Sequence, residues 1–207
     1  DESSMFPVEV SGIKAGDRVL DLCAAPGGKT FHAAERVGSE GQVIARDLTE
    51  YKTEILQENN ERMKYSQIKI EQWDATEFDP ALESAVDVVL CDLPCSGLGI
   101  MGRKNDIKYH LTEKQLDELV RLQRSILAVA WRYVKPGGIL VFSTCTLNQR
   151  ENVENVRWIE ENTPLRRVSM EDRLPQTFRG RTGEEGYLQL LPGIDGCDGF
   201  FVAKFTR

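Results

Sequence analysis

Two of the five cysteines lie directly after apolar runs that predict buried β-strands. Cys95 follows Asp92-Leu93-Pro94 at the end of the run 86–91, and Cys145 follows the run 139–143. Parallel strands that pair lie about 4.8 Å apart, and α/β proteins bind ligands at the carboxyl ends of strands. If the two strands are neighbours, we expect both thiols and the Asp92 carboxylate to face one cleft.

Two thiols in one cleft are suited to nucleophilic addition followed by elimination. A thiolate is a strong nucleophile and can also leave afterwards. Asn148 and Glu151 predict a capped helix start just after Cys145, a position that lowers a thiol pKa. Pro94 ends the preceding strand and turns Cys95 across the mouth of the cleft. The alternative is that both thiols are small buried hydrophobic groups, the commonest fate of a free cysteine.

Methylation of a cytosine at carbon 5 requires such an arrangement. Carbon 5 becomes nucleophilic only after a thiolate has added to carbon 6. An acidic neighbour such as Asp92 can hydrogen-bond the nitrogen edge of the ring as charge develops there. After methyl transfer, a base must remove the carbon 5 proton so that the thiolate is expelled.

The sequence VLDLCAAPGGKT at residues 19–30 predicts a strand, a glycine-bearing turn and the start of a helix. Gly27 and Gly28 let backbone amides approach a ligand closely, and the helix presents free N–H groups. Asp47 ends the next apolar run, where a carboxylate can accept hydrogen bonds from ribose hydroxyls. The pattern therefore predicts a site for a nucleoside-containing cofactor, with an ordinary βα turn as the alternative.

Two missing motifs exclude some of the nucleoside-containing cofactors. The dinucleotide fingerprint G-x-G-x-x-G is absent, and no G-x-x-x-x-G-K-[ST] phosphate loop exists. Five alternating β and α units are followed by two strand-like runs around Pro192-Gly193. A terminal antiparallel pair is typical of the Rossmann-like methyltransferase variant. We therefore expect S-adenosylmethionine (SAM) rather than a nicotinamide.

The elements predict an α/β fold, a doubly wound and mostly parallel seven-stranded sheet with an antiparallel C-terminal hairpin. Residues 1–17 are expected to be a short polar approach segment, and 94–111 and 163–185 are expected to be loops. The predicted strands are 18–22, 42–46, 67–72, 86–91, 139–143, 187–191 and 200–205. The predicted helices are 29–37, 49–63 after a Thr49 cap, 112–134 from a Thr112/Gln115 capping box, and 149–161.

Length and composition favour one catalytic domain, residues 1–207, in a reducing cytoplasm. The 207 residues are enough for one α/β core, and the odd cysteine count favours free thiols. With two histidines and no C-x-x-C pair, no metal site is expected. No apolar run is long enough to span a membrane, and no signal peptide opens the chain. A monomer is expected. The net charge of −7 means that any nucleic-acid contact must use local basic patches.

Five motifs carry a family resemblance. They are Asp1-Glu2-Ser3-Ser4, the residues 21–30, Asp92-Leu93-Pro94-Cys95-Ser96-Gly97, Ser143-Thr144-Cys145-Thr146 and Asp198-Gly199-Phe200-Phe201. On these motifs the chain resembles the RNA (cytosine-C5) methyltransferases, and most closely the bacterial RsmB-type 16S ribosomal RNA enzymes. The motifs span nearly the whole chain in the family's order. Leu93 and Asn105 are small departures from the family pattern that do not touch the chemistry.

The resemblance implies a role for each motif. Cys145 is implied to be the covalent nucleophile, Cys95 to assist product release, and Asp92 to lie beside the reacting base. SAM contacts are implied for Cys23, Ala24, Ala25, Pro26, Gly27, Gly28, Lys29, Asp47, Asp74 and Asp92. The family's RNA-binding amino-terminal region is missing from this sequence, which begins at Asp1 without Met. The domain is therefore expected to have been excised from a longer protein.

RNA, with 16S rRNA as the expected molecule, is the predicted partner. Arg103, Lys104, Arg179 and Arg181 are predicted to contact its phosphates, since the domain is otherwise acidic. One alternative is a tRNA-directed member of the same family. Another is an exocyclic-amine methyltransferase, against which Leu93-Pro94-Cys95 argues. A third is a non-catalytic RNA-binding or ribosome-assembly module, against which the intact Cys145, Cys95 and Asp92 argue.

Overall fold

The computed structural model describes residues 2–103 and 111–207, and strands alternate with helices through most of it. No helix in this part of the chain is long and apolar enough to cross a membrane. The helices are α1 Phe6–Ser11, α2 Gly28–Val37, α3 Glu50–Met63, α4 Glu113–Ala130 and α5 Val153–Asn162. The strands are β1 Arg18–Asp21, β2 Gln42–Asp47, β3 Ile68–Gln72, β4 Val86–Asp92, β5 Val134–Thr144, β6 Arg166–Arg167, β7 Tyr187–Leu190 and β8 Phe200–Thr206.

These strands form one sheet in the order β3-β2-β1-β4-β5-β8-β6, with β7 also paired to β8. The pairs among β1 to β5 are parallel, whereas β8 runs antiparallel to β5, β6 and β7. The predicted doubly wound α/β fold with an antiparallel C-terminal hairpin is confirmed. The chain reverses its winding direction between β1 and β4, which is where such sheets bind ligands.

Within the described residues the sheet contains eight strands rather than the predicted seven. β7 pairs with residues 200–203 of β8, and β6 pairs with residues 205 and 206 on the same edge. The last position in the sheet is therefore shared by two short strands. A two-residue strand has no detectable alternation of polar and apolar side chains, so the sequence predicted a loop there.

Buried side chains on both faces of the sheet hold the helices in place. Alternate residues of β4 enter different cores: Val89 and Cys91 pack with α4 and α5, whereas Leu90 packs with α1 and α2. All three side chains are fully buried. The prediction that β4 is covered on both faces, with Cys91 in the core, is confirmed.

The prediction for residues 1–17 is wrong, because this segment is not a polar stretch that leads into the fold. A 3₁₀ turn at Glu2–Met5 leads into α1, whose Phe6, Val8 and Val10 are almost completely buried. The Phe6 ring packs edge-on against Phe178 at a centroid distance of 5.4 Å. These side chains complete the core beneath α2, so burial of their apolar surface outweighs the low helix propensity of so short a segment.

Helix starts were predicted with mixed success. Thr49 caps α3, and Thr112 with Gln115 forms the expected capping box of α4. The last helix, in contrast, begins at Val153 rather than at residue 149. Glu151 lies in the turn before it and is fully buried, so its carboxylate is used elsewhere. Because the helix starts later, its N-terminus lies farther from the Cys145 thiol than the sequence predicted.

Phe201→Ala should destabilise the fold severely. The ring is fully buried in β8 and packs against Phe142 and Tyr187 at centroid distances of 6.1 and 6.0 Å. Loss of a buried phenyl group and the resulting cavity cost about 3–5 kcal/mol. Urea denaturation measures this loss. The control Ile194→Ala changes a side chain that is 75% exposed, and should stay within about 0.5 kcal/mol of the parent.

Candidate active site

The structure brings Cys95 and Cys145 together. β4 and β5 are parallel neighbours, and Asp92 pairs in register with Ser143. The chains that leave these strand ends place the two sulfur atoms 3.4 Å apart, within hydrogen-bond distance. Both side chains remain partly accessible, and neither cysteine is among the residues that line the cavity beside Asp92.

The two thiols have opposite pKa shifts. The pKa of Cys145 is lowered, chiefly because the Cys95 thiol donates a hydrogen bond to its thiolate. The pKa of Cys95 is raised by the same hydrogen bond and by burial. Lys29 favours the Cys145 thiolate, whereas Asp92 opposes it. Cys145 is therefore the more acidic thiol of the pair, and Cys95 is the one that keeps its proton and donates it in the hydrogen bond.

This direction agrees with the sequence prediction for Cys145, but the predicted cause is wrong. A helix N-terminus was expected just after the thiol, whereas α5 begins only at Val153. Helix-end effects fall off within the first turn, so they do not reach Cys145. The neighbouring thiol provides the stabilising interaction instead.

Close backbone contacts fix the segment that carries Cys145. The carbonyl of Cys145 accepts from the N–H of Gly99 at 3.0 Å, and Gly99 accepts from Gly199 at 2.9 Å. A side chain at Gly99 would collide with the Gly199 carbonyl, so the crossing needs a residue without Cβ. The side chain of Asn152 also accepts from Thr144 Oγ1 at 2.6 Å and donates to the Thr146 carbonyl at 3.0 Å.

Asp92 lies between the thiols and the glycine-bearing turn. Its Oδ1 accepts a hydrogen bond from Ser143 at 2.7 Å, and its Oδ2 pairs with Lys29 Nζ at 2.6 Å. Lys29 also lies over the Phe200 ring, 5.5 Å from the ring centroid. A carboxylate and a lysine ammonium therefore lie near enough to the thiol pair to act on Cys145.

A cavity of about 910 Å³ extends from Asp92 along the glycine-bearing turn. The structure places seven of the ten predicted cofactor residues on its wall: Cys23, Ala24, Ala25, Pro26, Gly28, Lys29 and Asp92. Gly27, Asp47 and Asp74 do not line it. Burial raises the pKa of Cys23 strongly, so this wall cysteine is a neutral thiol rather than a nucleophile.

Two of the three residues that lie off the cavity wall, Gly27 and Asp47, fix the conformation of the glycine-bearing turn. Gly27 has a φ of 112°, and a side chain there would collide with the Phe31 ring. Asp47 accepts from the backbone N–H of Ala25 at 3.0 Å and pairs with Lys52 at 2.9 Å. Its carboxylate therefore holds the turn.

Asp74 uses one of its carboxylate oxygens to hold the turn that follows β3. Oδ1 accepts from both the N–H and the hydroxyl of Thr76, at 2.8 and 2.7 Å. These bonds fix the orientation of the carboxyl group at the end of the strand. Within the described part of the chain, Oδ2 makes no hydrogen bond.

Sequence reasoning missed Asp21, which also lines the cavity. Thr30 donates a hydrogen bond to its Oδ2 at 2.7 Å, whereas its Oδ1 is buried and has no partner among the residues that the structure describes. Burial raises the pKa of this carboxyl to about 6. An acidic residue at the end of a buried strand, just before a glycine turn, was a signal that could have identified it.

The predicted RNA-binding arginines lie on the loops after β4 and β6. Arg103 pairs with Asp198 at 3.0 Å, and Arg181 pairs with Asp195 at 2.9 Å. Arg179 donates to the carbonyls of Leu174 and Asp172 at 2.9 and 3.0 Å, and Lys104 lies outside the described residues. Arg179 and Arg181 therefore stabilise their own loops, and the RNA contacts stay a prediction. The described residues contain no cluster of metal-binding side chains.

Comparisons with known proteins identify the family. The model of the family described as 16S rRNA methyltransferase RsmB/F matches residues 10–206. Probable ribosomal RNA small subunit methyltransferase B of Bacillus subtilis is 38% identical over 210 residues, covering 100% of this chain and 47% of that protein. Ribosomal RNA small subunit methyltransferase F of Escherichia coli is 34% identical, covering 99% of this chain and 43% of that protein.

One solved structure is similar to this chain in both fold and sequence. The crystal structure of NSun6 from Pyrococcus horikoshii with SFG has a TM-score of 0.85 and 30% identity, covering 99% of this chain and 51% of that one. The chain spans about half the length of the curated relatives it matches. On the match of the family model and the identity to both curated proteins, the chain belongs to the 16S rRNA methyltransferase RsmB/F family.

Proposed function

We propose that this chain transfers a methyl group from SAM to carbon 5 of a cytosine in 16S rRNA. The transfer proceeds through a covalent adduct between Cys145 and carbon 6 of the base. The observation that carries the proposal is the pair of sulfur atoms 3.4 Å apart beside Asp92, with the pKa of Cys145 lowered and that of Cys95 raised. The choice of ribosomal RNA rests on the family and its curated members.

The cavity fits SAM on two observations. Asp21 Oδ1 is buried without a partner among the described residues, and the ammonium of the methionine part of SAM would supply one. The first N–H groups of α2 have no intrahelical partner and suit the carboxylate of the same ligand. SFG in the NSun6 structure is an analogue of SAM. Asp21, Gly28 and Lys29 would therefore hold the amino-acid end of SAM, whereas contacts of Asp47 and Asp74 with its nucleoside stay a prediction because neither residue lines the cavity.

Cys145 begins the reaction because it is the thiol of the pair that loses its proton more readily. Its sulfur bonds to carbon 6, and the electrons of the C5–C6 double bond move to carbon 5. Asp92, paired with Lys29, would accept a hydrogen bond from the amino group at the nitrogen edge of the ring, and the Lys29 ammonium would offset the negative charge that develops there. SAM, when bound, supplies the electrophilic methyl group that carbon 5 takes up.

Cys95 acts after methyl transfer. Once the Cys145 sulfur is bonded to carbon, it no longer accepts a strong hydrogen bond, so the main cause of the raised Cys95 pKa disappears. Cys95 then loses its proton to solvent and takes the proton from carbon 5. The electrons of that C–H bond re-form the C5–C6 double bond, and Cys145 leaves as a thiolate.

Cys145→Ser and Cys95→Ser should fail in different ways. Cys145→Ser removes the nucleophile, so both turnover and the covalent protein–RNA adduct should disappear. Cys95→Ser leaves addition intact and slows elimination, so the adduct should accumulate when SAM is present. A denaturing gel of protein with labelled RNA measures both. Cys197→Ser should behave as the parent, whereas an adduct that forms with Cys145→Ser and not with Cys95→Ser would reverse the two roles.

SAM affinity should depend on pH through Asp21. The carboxyl pairs with the SAM ammonium only when it is ionised, and its pKa is raised from 3.8 to about 6. Between pH 7 and pH 5, affinity measured by calorimetry should fall roughly tenfold, while Asp21→Asn binds weakly at both pH values. Asp17→Asn, at the opposite edge of the sheet, is the matched control.

The raised pKa of Asp21 also predicts how Asp21→Asn affects the stability of the fold. Because the folded-state pKa of Asp21 lies above 3.8, its contribution to stability is largest at low pH and is lost as pH rises through 6. Without SAM at pH 8, Asp21→Asn should therefore be at least as stable as the parent. Weak SAM binding by a fully folded Asp21→Asn supports the assignment, whereas unchanged affinity contradicts it.

We also propose that Arg103, Lys104, Arg179 and Arg181 contact RNA phosphates. Each contact that is lost should reduce the slope of log affinity against log salt by about 0.7. Arg103→Gln and Arg179→Gln should weaken RNA binding in filter assays and leave SAM affinity unchanged. Arg62→Gln removes the same charge from α3 and should have no effect on RNA binding. Equal salt slopes in all three variants would show that these arginines are only surface charges.

A further inference from the structure

Glu151 is a fully buried carboxylate at the carboxyl edge of the sheet. Its Oε1 accepts from Ser96 Oγ at 2.5 Å and from Asn148 Nδ2 at 3.0 Å. Its Oε2 accepts from Ser96 N–H and from Gln123 Nε2, both at 2.9 Å. A carboxylate has about four lone-pair positions, so every one of them is used. The side chain is fully buried with all its oxygens bonded, so it has no exposed surface with which to touch substrate.

The carboxylate and Gln123 hold the backbone on both sides of Cys95. Ser96 follows the thiol and donates two hydrogen bonds to Glu151. Pro94 precedes the thiol, and its carbonyl accepts from the same Gln123 amide that donates to Glu151, at 2.9 Å. Hydrogen bonds therefore attach the two residues that flank Cys95 to α4 and to the turn before α5.

The same network reaches Cys145. Ser96 gives its only hydroxyl proton to Glu151, so in the 2.6 Å contact with Thr146 Oγ1 the threonine must be the donor. Thr146 directly follows Cys145 in the chain. One carboxylate therefore links the residue after Cys95 to the residue after Cys145.

A merely stabilising role does not explain a buried carboxylate well. Removing such a charge from water is costly, and apolar side chains of similar volume often stabilise a core as much or more. A fully satisfied polar network does, however, hold its members in one arrangement. The arrangement fixed here is the approach of the two sulfur atoms to 3.4 Å.

We propose that Glu151 is a positioning residue, which holds the Cys95 thiol at hydrogen-bond distance from Cys145 through Ser96 and Gln123. The inference rests on the proposed function, because it assigns Glu151 to the two-thiol chemistry. Glu151 acts through the neighbouring loop and does not touch the base.

Glu151→Gln should disrupt this arrangement with little change in volume. An amide offers one oxygen and one NH₂ group, so in either orientation the NH₂ group meets at least one N–H donor, Asn148 Nδ2 on one side or the Ser96 backbone on the other. The Cys95 loop should then move away and the Cys145 thiolate should lose its hydrogen bond. Lys29 and Asp92 are the other charged groups that act on Cys145, and the substitution touches neither of them.

The rate of Cys145 alkylation by iodoacetamide, followed against pH by peptide mass spectrometry, measures the thiolate directly. In Glu151→Gln the profile should move to higher pH, and alkylation at pH 7 should slow several-fold. In a Cys95→Ala background, Glu151→Gln should cause no further shift, because the residue acts through Cys95. Glu154→Gln, an exposed glutamate of α5, is the matched control and should match the parent.

Two results would overturn the proposal: an unchanged profile in Glu151→Gln, or an equal shift in the Cys95→Ala background. Ser96→Ala removes the hydroxyl link alone and should shift the profile in the same direction if Glu151→Gln does not fold. Alkylation needs neither SAM nor RNA, so its outcome is independent of the adduct gel. With SAM and RNA, Glu151→Gln should accumulate adduct as Cys95→Ser does.

Discussion

The parallel register between β4 and β5 determines where the reactive groups of this protein lie. Asp92 pairs opposite Ser143, and this offset places the two following segments side by side. A slip of one residue would turn each side chain of one strand to the other face of the sheet. The alternating burial of Val89, Leu90 and Cys91 in two different cores prevents that slip. Apolar packing far from the cleft thus sets the distance between the two sulfur atoms.

Two buried carboxylates at this edge show how unused hydrogen-bonding capacity distinguishes a binding group from a structural one. Glu151 has four donors for its four lone-pair positions. Asp21 accepts a hydrogen bond from Thr30 on one oxygen, and its other oxygen is buried without a partner among the described residues. The first carboxylate is complete within the protein, whereas the second is costly until a cation reaches it. Both side chains come from turns or strand ends, yet only Asp21 borders the cavity.

The sequence predicted the parts of the fold that depend on local pattern. The β-branched run of β4 and the capping box at Thr112 appear where they were expected, because strand burial and helix capping are local effects. The burial of α1 was missed, since it depends on contacts with distant residues such as Phe178. Residues of the glycine-bearing turn and the two thiols were identified by type and spacing. Glu151 was read as a helix cap, and nothing in its local sequence reveals that its partners are Ser96 and Gln123.

The position of β8 in the sheet has a consequence for how the protein is made. β8 lies between β5 and the pair β6 and β7, although it follows all of them in the chain. As the chain leaves the ribosome, β5 can pair with β4 but has an open edge until β8 has been synthesised. The strand that leads to Cys145 is therefore an exposed edge during synthesis, a form prone to pairing with other chains. The crossing of Gly99 and Gly199, which holds the backbone of Cys145, forms at the same late stage.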